Sequence, residues 1–153
     1  MSFTAVNPKV VSFGRNRVGL ERDTLPIAAS QTWKVGEFGI FSGGTLSVCA
    51  STEIPTHIFR TTRDTKVDDT NVEVDRLAKG VQLEMYCTGA VGIANVGLTY
   101  DLDVSTAHTH IVDLAASDDD VFKVVRLAAT YEPERNATAD DPGKCIVEIM
   151  KMV

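Results

Sequence analysis

Val81-Gln-Leu-Glu-Met-Tyr-Cys-Thr88 alternates between two faces without a break. Val81, Leu83, Met85 and Cys87 fall on one side of an extended chain, and Gln82, Glu84, Tyr86 and Thr88 on the other. Side chains alternate across a strand, whereas a helix would scatter this pattern around its axis. The segment reads as a half-buried β-strand. Leu98–Val104 repeats the pattern, with Leu98, Tyr100, Leu102 and Val104 against Thr99, Asp101 and Asp103.

The same signal extends outward in both directions. Trp33–Phe41 reads as a strand in which Gly36 and Gly39 mark bulges or close backbone approach. Ser42-Gly43-Gly44 reads as a hairpin turn into Thr45–Ala50. Thr56–Thr62, Thr109–Leu114 and Cys145–Val153 are further strands, with Glu148 facing outward between Val147 and Ile149. In Ser117–Thr130, Ser117 and Asp118 could cap a helix, but β-branched residues dominate Val121–Leu127 and favour a strand. Asp68–Lys79 is ambiguous and could form one or two helical turns stopped by Gly80. Tyr131–Gly143 reads as a long polar loop. Valine, isoleucine and threonine supply 43 of the 153 residues, a balance that suits pleated surfaces. Many short strands at spacings of roughly 8 to 12 residues predict a mainly β fold, a compact antiparallel β-sandwich or small barrel. No repeat with a period of about 20 to 50 residues interrupts that reading.

At 153 residues the chain suits one domain with a sizeable core. It is 44% hydrophobic and 24% charged, too apolar for wholesale disorder. No apolar run reaches the ~18 residues of a membrane-spanning helix, and Met1-Ser-Phe-Thr4 lacks the pattern of a secretion signal. A net charge of −6 argues against a general nucleic-acid binder. The charge is uneven. Residues 1–30 hold Lys9, Arg15, Arg17 and Arg22 against Glu21 and Asp23, a net +2, which leaves −8 on the remainder. Residues 1–30 read as an extended N-terminal arm and 31–153 as the β-rich domain. Within the arm, Val10, Val11 and Phe13 form a β-prone stretch able to add to a sheet edge, and Arg15 and Arg17 could pair with carboxylates. Removing the arm is expected to leave the domain folded.

Candidate chemistry is sparse. His108-x-His110 could bring two imidazoles to one side of a strand, but a metal needs a further ligand, for which His57 or Asp113 would depend on the fold. Asp118-Asp-Asp120 and the Asp101/Asp103 pair read as solvated acidic surface, without the calcium-loop pattern. Gly89–Gly97 is glycine-rich but lacks dinucleotide spacing. Cys49, Cys87 and Cys145 are odd in number and lack Cys-x-x-Cys spacing, so they read as buried thiols. No complete nucleophile or ligand set appears, and the expectation is no catalytic residue, no metal and no cofactor.

Several strings carry a family resemblance: Trp33-Lys-Val-Gly-Glu-Phe-Gly-Ile-Phe-Ser-Gly-Gly44, Lys79-Gly-Val-Gln-Leu83, Leu98-Thr-Tyr-Asp-Leu-Asp-Val104, Val121-Phe-Lys-Val-Val-Arg-Leu127 and Ile146-Val-Glu-Ile149. Across residues 31–153 the chain resembles the head decoration, or cement, proteins of tailed bacteriophages. The resemblance implies a compact β protein, often a homotrimer, that binds the major capsid protein on the capsid surface and stabilises the capsomer lattice. It also implies a virion location after synthesis in the host cytoplasm, terminal arms that add strands to the shell, and no nucleic-acid or membrane partner. Trp33, Phe38, Phe41 and Met85 would be contact anchors if exposed. The alternatives are a small β-barrel enzyme or ligand-binding protein of the cupin or jelly-roll kind, or another head or tail component.

Overall fold

The computed structural model describes residues 5–14, 19–28, 31–60, 71–128 and 143–152. They form two antiparallel sheets, a β-sandwich of the expected class. The strands are β1 (Lys9–Ser12), β2 (Arg22–Pro26), β3 (Phe38–Ser42), β4 (Thr45–Val48), β5 (His57–Phe59), β6 (Asn71–Arg76), β7 (Gln82–Tyr86), β8 (Thr99–Asp103), β9 (Ile111–Asp113), β10 (Phe122–Leu127) and β11 (Lys144–Ile149). The six-stranded sheet runs β1-β7-β11-β10-β8-β9, and the five-stranded sheet β2-β6-β5-β3-β4.

Each sheet is rolled by a contact between non-neighbouring strands. A parallel bridge between Cys87 and Val112 draws the end of β7 towards β9. Another, between Ile27 and Leu46, draws the end of β2 towards β4. The rolled sheets enclose two apolar clusters. Leu83, Met85, Leu102, Phe122, Val124 and Val147 fill the larger. Ile27, Trp33, Leu46, Phe59, Val72 and Val74 fill the smaller. Phe38 reaches from the five-stranded sheet into the larger cluster and stacks on Phe122, with ring centroids 5.6 Å apart. Such offset aromatic pairs add to the stabilisation that burial already provides.

Local chemistry explains most element boundaries. Gly43 (φ +63°) and Gly44 (φ +88°) supply two consecutive positive angles, so the β3–β4 hairpin closes at Ser42↔Thr45 with a tight two-residue turn. The described part of Ser117–Thr130, residues 117–128, contains β10 and no helix; a register shift between Val124 and Arg126 lets that strand bend against β11. The helical expectation for Asp68–Lys79 is corrected over its described part. Asn71–Arg76 is β6, and Val72 and Val74 point inward between exposed Asn71 and Glu73. Period-two burial overrides the helix-stop signal of Gly80 there. Among the described residues the helical piece is one 3-10 turn, Ile93–Asn95. Of the polar loop at Tyr131–Gly143, all but Gly143 lies outside the described residues.

Residue 30 does not separate an unpaired arm from the sheets. β1 is hydrogen-bonded to β7 in the register Lys9↔Glu84 and Val10↔Leu83. β2 pairs along its whole length with β6, from Arg22↔Asp75 to Pro26↔Asn71. The strand addition expected of the Val10–Phe13 stretch thus occurs within the chain. Removing residues 1–30 would take away two strands and the buried Ile27.

Candidate functional site

The residues singled out for partner contact separate into different environments. Val10 is half-buried against the larger core, whereas Val11 and Phe13 are 41% and 40% exposed. Arg15 and Arg17 lie outside the described residues. Trp33 is buried and stacked on Phe59 at 4.9 Å, so it is a core residue and not a contact anchor. Phe38 and Met85 are also fully buried, while Phe41 remains partly exposed.

The histidine pair sits in a polar cluster that the sequence only half revealed. The loop from Val104 to His110 connects β8 to β9 and passes through His108 at φ +60°, a left-handed conformation uncommon for a non-glycine residue. Asn7 clamps this loop from the side. Its Nδ2 donates to the His108 carbonyl at 3.0 Å, and its Oδ1 accepts the His110 N–H at 2.9 Å. The third group is Glu37, at the entry to β3, which is fully buried. Its Oε2 accepts the Lys34 N–H at 2.6 Å and His108 Nδ1 at 3.1 Å. Its Oε1 lies 3.0 Å from His110 Nε2, off the straight approach of a good hydrogen bond. Burial pushes the Glu37 carboxyl up; the contacts from His110, the Lys34 N–H and His108 outweigh it and hold the carboxyl below its ordinary value.

The protonation pattern follows from the partners. Phe38 N–H donates to His110 Nδ1 at 3.1 Å, so that nitrogen holds a lone pair and Nε2 carries the proton. Nε2–H faces a carboxylate, an arrangement that orients charge. Metal ligation at Nε2 would require moving the proton to Nδ1 and giving up the Phe38 bond. No group of three His, Cys, Asp or Glu side chains among the described residues is placed to hold a metal ion. The expected alternatives for a third ligand are elsewhere: Asp113 pairs across β8–β9 with Asp101, and His57 bonds Thr56 Oγ1 at 2.7 Å and Asp23 at 2.8 Å.

That His57 contact belongs to a second network. Arg76 grips Asp23 through Nε at 2.9 Å and Nη2 at 3.2 Å. Burial raises the Asp23 carboxyl, but His57 and Arg76 together bring it below its ordinary value. Thr56, His57 and Asp23 run in the order of a catalytic relay. The Thr56 oxygen, however, accepts the Phe41 N–H at 2.8 Å, so the network braces β3, β5, β6 and β2. The three cysteines are buried thiols. Burial pushes Cys49 up; the neighbouring Cys145 and then burial push Cys87 up, so neither is poised as a thiolate.

Beside the histidine loop lies a cleft of about 730 Å³. Asn7 and Lys9 form one wall, Lys34 and Val35 another, and Arg60 and His108 complete the rim. Gly36 holds the first two walls together. Its φ is +85°, and a Cβ there would stand 2.7 Å from the Pro8 carbonyl oxygen and 3.0 Å from Asn7 Cβ. Gly36→Ala is therefore expected to cost about 1–3 kcal/mol through strain and crowding. It should also loosen the Asn7 clamp. Thermal melting and faster hydrogen exchange at the His110 amide would report the two effects. Unchanged exchange would show that Asn7 does not depend on this approach.

The acidic surface is also built differently from the sequence expectation. Asp101 is fully buried, and its carboxylate accepts the backbone N–H groups of Asp118 (3.0 Å), Asp119 (2.9 Å) and Asp120 (3.0 Å). The chain matches no protein-family model, no curated protein and no solved structure.

Proposed function

We propose that the protein is a virion structural component that binds the outside of a tailed-phage capsid through the major capsid protein, self-associates as a homotrimer and stabilises the capsomer lattice. The observation that supports this reading is the β1 edge of the six-stranded sheet, which no further strand among the described residues covers. β1 is the terminal strand of that sheet, with β7 on one side. Exposure alternates along it, and Lys9, Val11 and Phe13 share the exposed set. Lys9 and the register shift between Val10 and Ser12 blunt part of this edge, while Val11 and the adjoining Phe13 remain exposed beside it. Main-chain bonding to such an edge gives affinity with little demand on the partner's sequence, which suits a lattice contact. The resemblance of residues 31–153 to phage head decoration proteins points the same way.

The test is co-sedimentation with assembled capsids. Val11→Asp/Phe13→Asp should reduce capsid occupancy by about 100-fold or more, because two exposed anchors become charged at a desolvated contact. The variant's melting temperature should stay near that of the wild type. Full occupancy by this folded variant would overturn β1 as the docking edge. No binding of the wild type would overturn the capsid reading.

A further inference from the structure

The cationic cleft and the acidic loop occupy opposite ends of the β8–β9 ladder. Residues 104–110 leave β8 at Asp103 and carry His108 and Thr109 into the cleft wall. Residues 114–121 leave β9 at Asp113 and fold back over Asp101. The ladder spans Asp101–Asp103, two steps of about 3.4 Å, so its two ends stand roughly 7 Å apart along the strand.

Their chemistry is opposite. In a chain with net charge −6, the cleft rim gathers Lys9, Lys34 and Arg60. Arg60 is answered by Asp75 at 3.4 Å; exposed Lys9 and Lys34 form no ion pair among the described residues, although Glu84 stands opposite Lys9 across β1–β7. Val6 and Val35, in the same walls, are 57% and 55% exposed. At the far end Asp118 and Asp120 are exposed and Asp119 is half-buried. The Asp101 carboxylate fixes the backbone of all three, so the loop displays its charges from a rigid base.

We propose that the cleft receives the Asp118–Asp120 loop of a second copy of this chain. The inference rests on the self-association in the reading above and specifies which surfaces meet. A contact between two different surfaces is heterologous, and heterologous contacts close into a ring such as a trimer when the rotation between copies closes, and into an open filament when it does not. The charges steer and orient the approach, while covering Val6 and Val35 supplies apolar burial.

The experiment measures the self-association of the full chain by analytical ultracentrifugation. Three proteins are compared: wild type, Lys9→Glu/Lys34→Glu and Asp118→Lys/Asp119→Lys. The wild type should associate, and more weakly as salt rises from about 0.05 to about 0.5 M. Each reversed variant should associate about 100-fold more weakly, because like charges then face each other. An equimolar mixture of the two variants should associate again. Melting curves check that each remains folded. Wild-type-like association of both variants would overturn the proposed contact and leave self-association standing. A monomeric wild type would remove self-association and this contact together. Loss of capsid co-sedimentation by Lys34→Glu alone, a residue outside β1, with self-association intact would assign the cleft to the capsid instead.

Discussion

Glu37→Ala is expected to lower stability by about 3 kcal/mol, within the range for removing one partner from a buried charged network. For a domain of this size that corresponds to roughly 6–12 °C in melting temperature. The carboxylate is fully buried and takes the Lys34 N–H and His108 Nδ1 on one oxygen, with His110 Nε2 at 3.0 Å from the other. Truncation leaves the Lys34 amide and His110 Nε2 facing a void. Glu37→Gln should not rescue it. Either orientation of the amide turns an N–H₂ group toward an existing N–H donor, so a loss of about 2 kcal/mol should remain. The pH response separates charge from shape. The folded-state pKa of Glu37 is lowered, so its stabilisation is present above the ordinary value of 4.5 and is lost as pH falls through the folded value. Wild-type stability should therefore decline in acid, and Glu37→Gln should flatten part of that decline. Identical acid profiles for the two proteins would show that the carboxylate is not the charged centre of this network.

The sheets could be anticipated from the sequence because period-two alternation is a local property. Val81–Thr88 becomes β7, Leu98–Val104 contains β8, and the paired glycines at 43 and 44 close a hairpin. The alternation failed where a long-range contact reversed a residue's environment. Asp101 stands where a solvent-facing side chain is expected, yet three amides from the 118–120 loop make its burial favourable. Trp33 looked like an interface anchor because composition does not say which aromatic finds a partner; Phe59 stacks on it across the rolled sheet. The histidine cluster was half visible. His108-x-His110 is a local signal, but Glu37 is 71 residues away in the chain from His108 and Asn7 is 103 residues from His110. No spacing rule connects them. A weak hint existed in Gly36, since a glycine at the start of a β-rich run marks either a bulge or a close approach, and here it is the approach to Asn7 and Pro8.

Asp101→Ala is expected to cost about 2–3 kcal/mol, although it removes a negative charge from the middle of an acidic surface. Two effects compete. Exposed Asp118 and Asp120 repel the Asp101 carboxylate, and relief of that repulsion favours the variant by a fraction of a kcal/mol, less at high salt. Against it stand three amide donors that lose a charged acceptor, each such bond contributing about 1 kcal/mol or more. The second effect wins because Asp101 is fully buried, so water cannot take its place without opening the loop. Asp120 at φ +52° adds to the dependence, since this conformation persists only while surrounding bonds hold it. Asp101→Asn should fall between, near 1 kcal/mol. Its carbonyl oxygen can serve the Asp119 and Asp120 amides, but its N–H₂ then meets the Asp118 N–H. Asp103→Ala is the matching control, because Asp103 is half-buried and among the described residues serves Ser105 alone. Hydrogen exchange at the Asp118–Asp120 amides should accelerate strongly in Asp101→Ala, less in Asp101→Asn and hardly at all in Asp103→Ala. Equal protection in all three would mean that the loop is held by Thr99 Oγ1 on Asp120 and by the Asp101 N–H on the Ala116 carbonyl, with the carboxylate a passenger. Self-association then supplies an independent check on the same residue. If the loop docks in a neighbour's cleft, Asp101→Ala should weaken association while leaving every docking side chain in place.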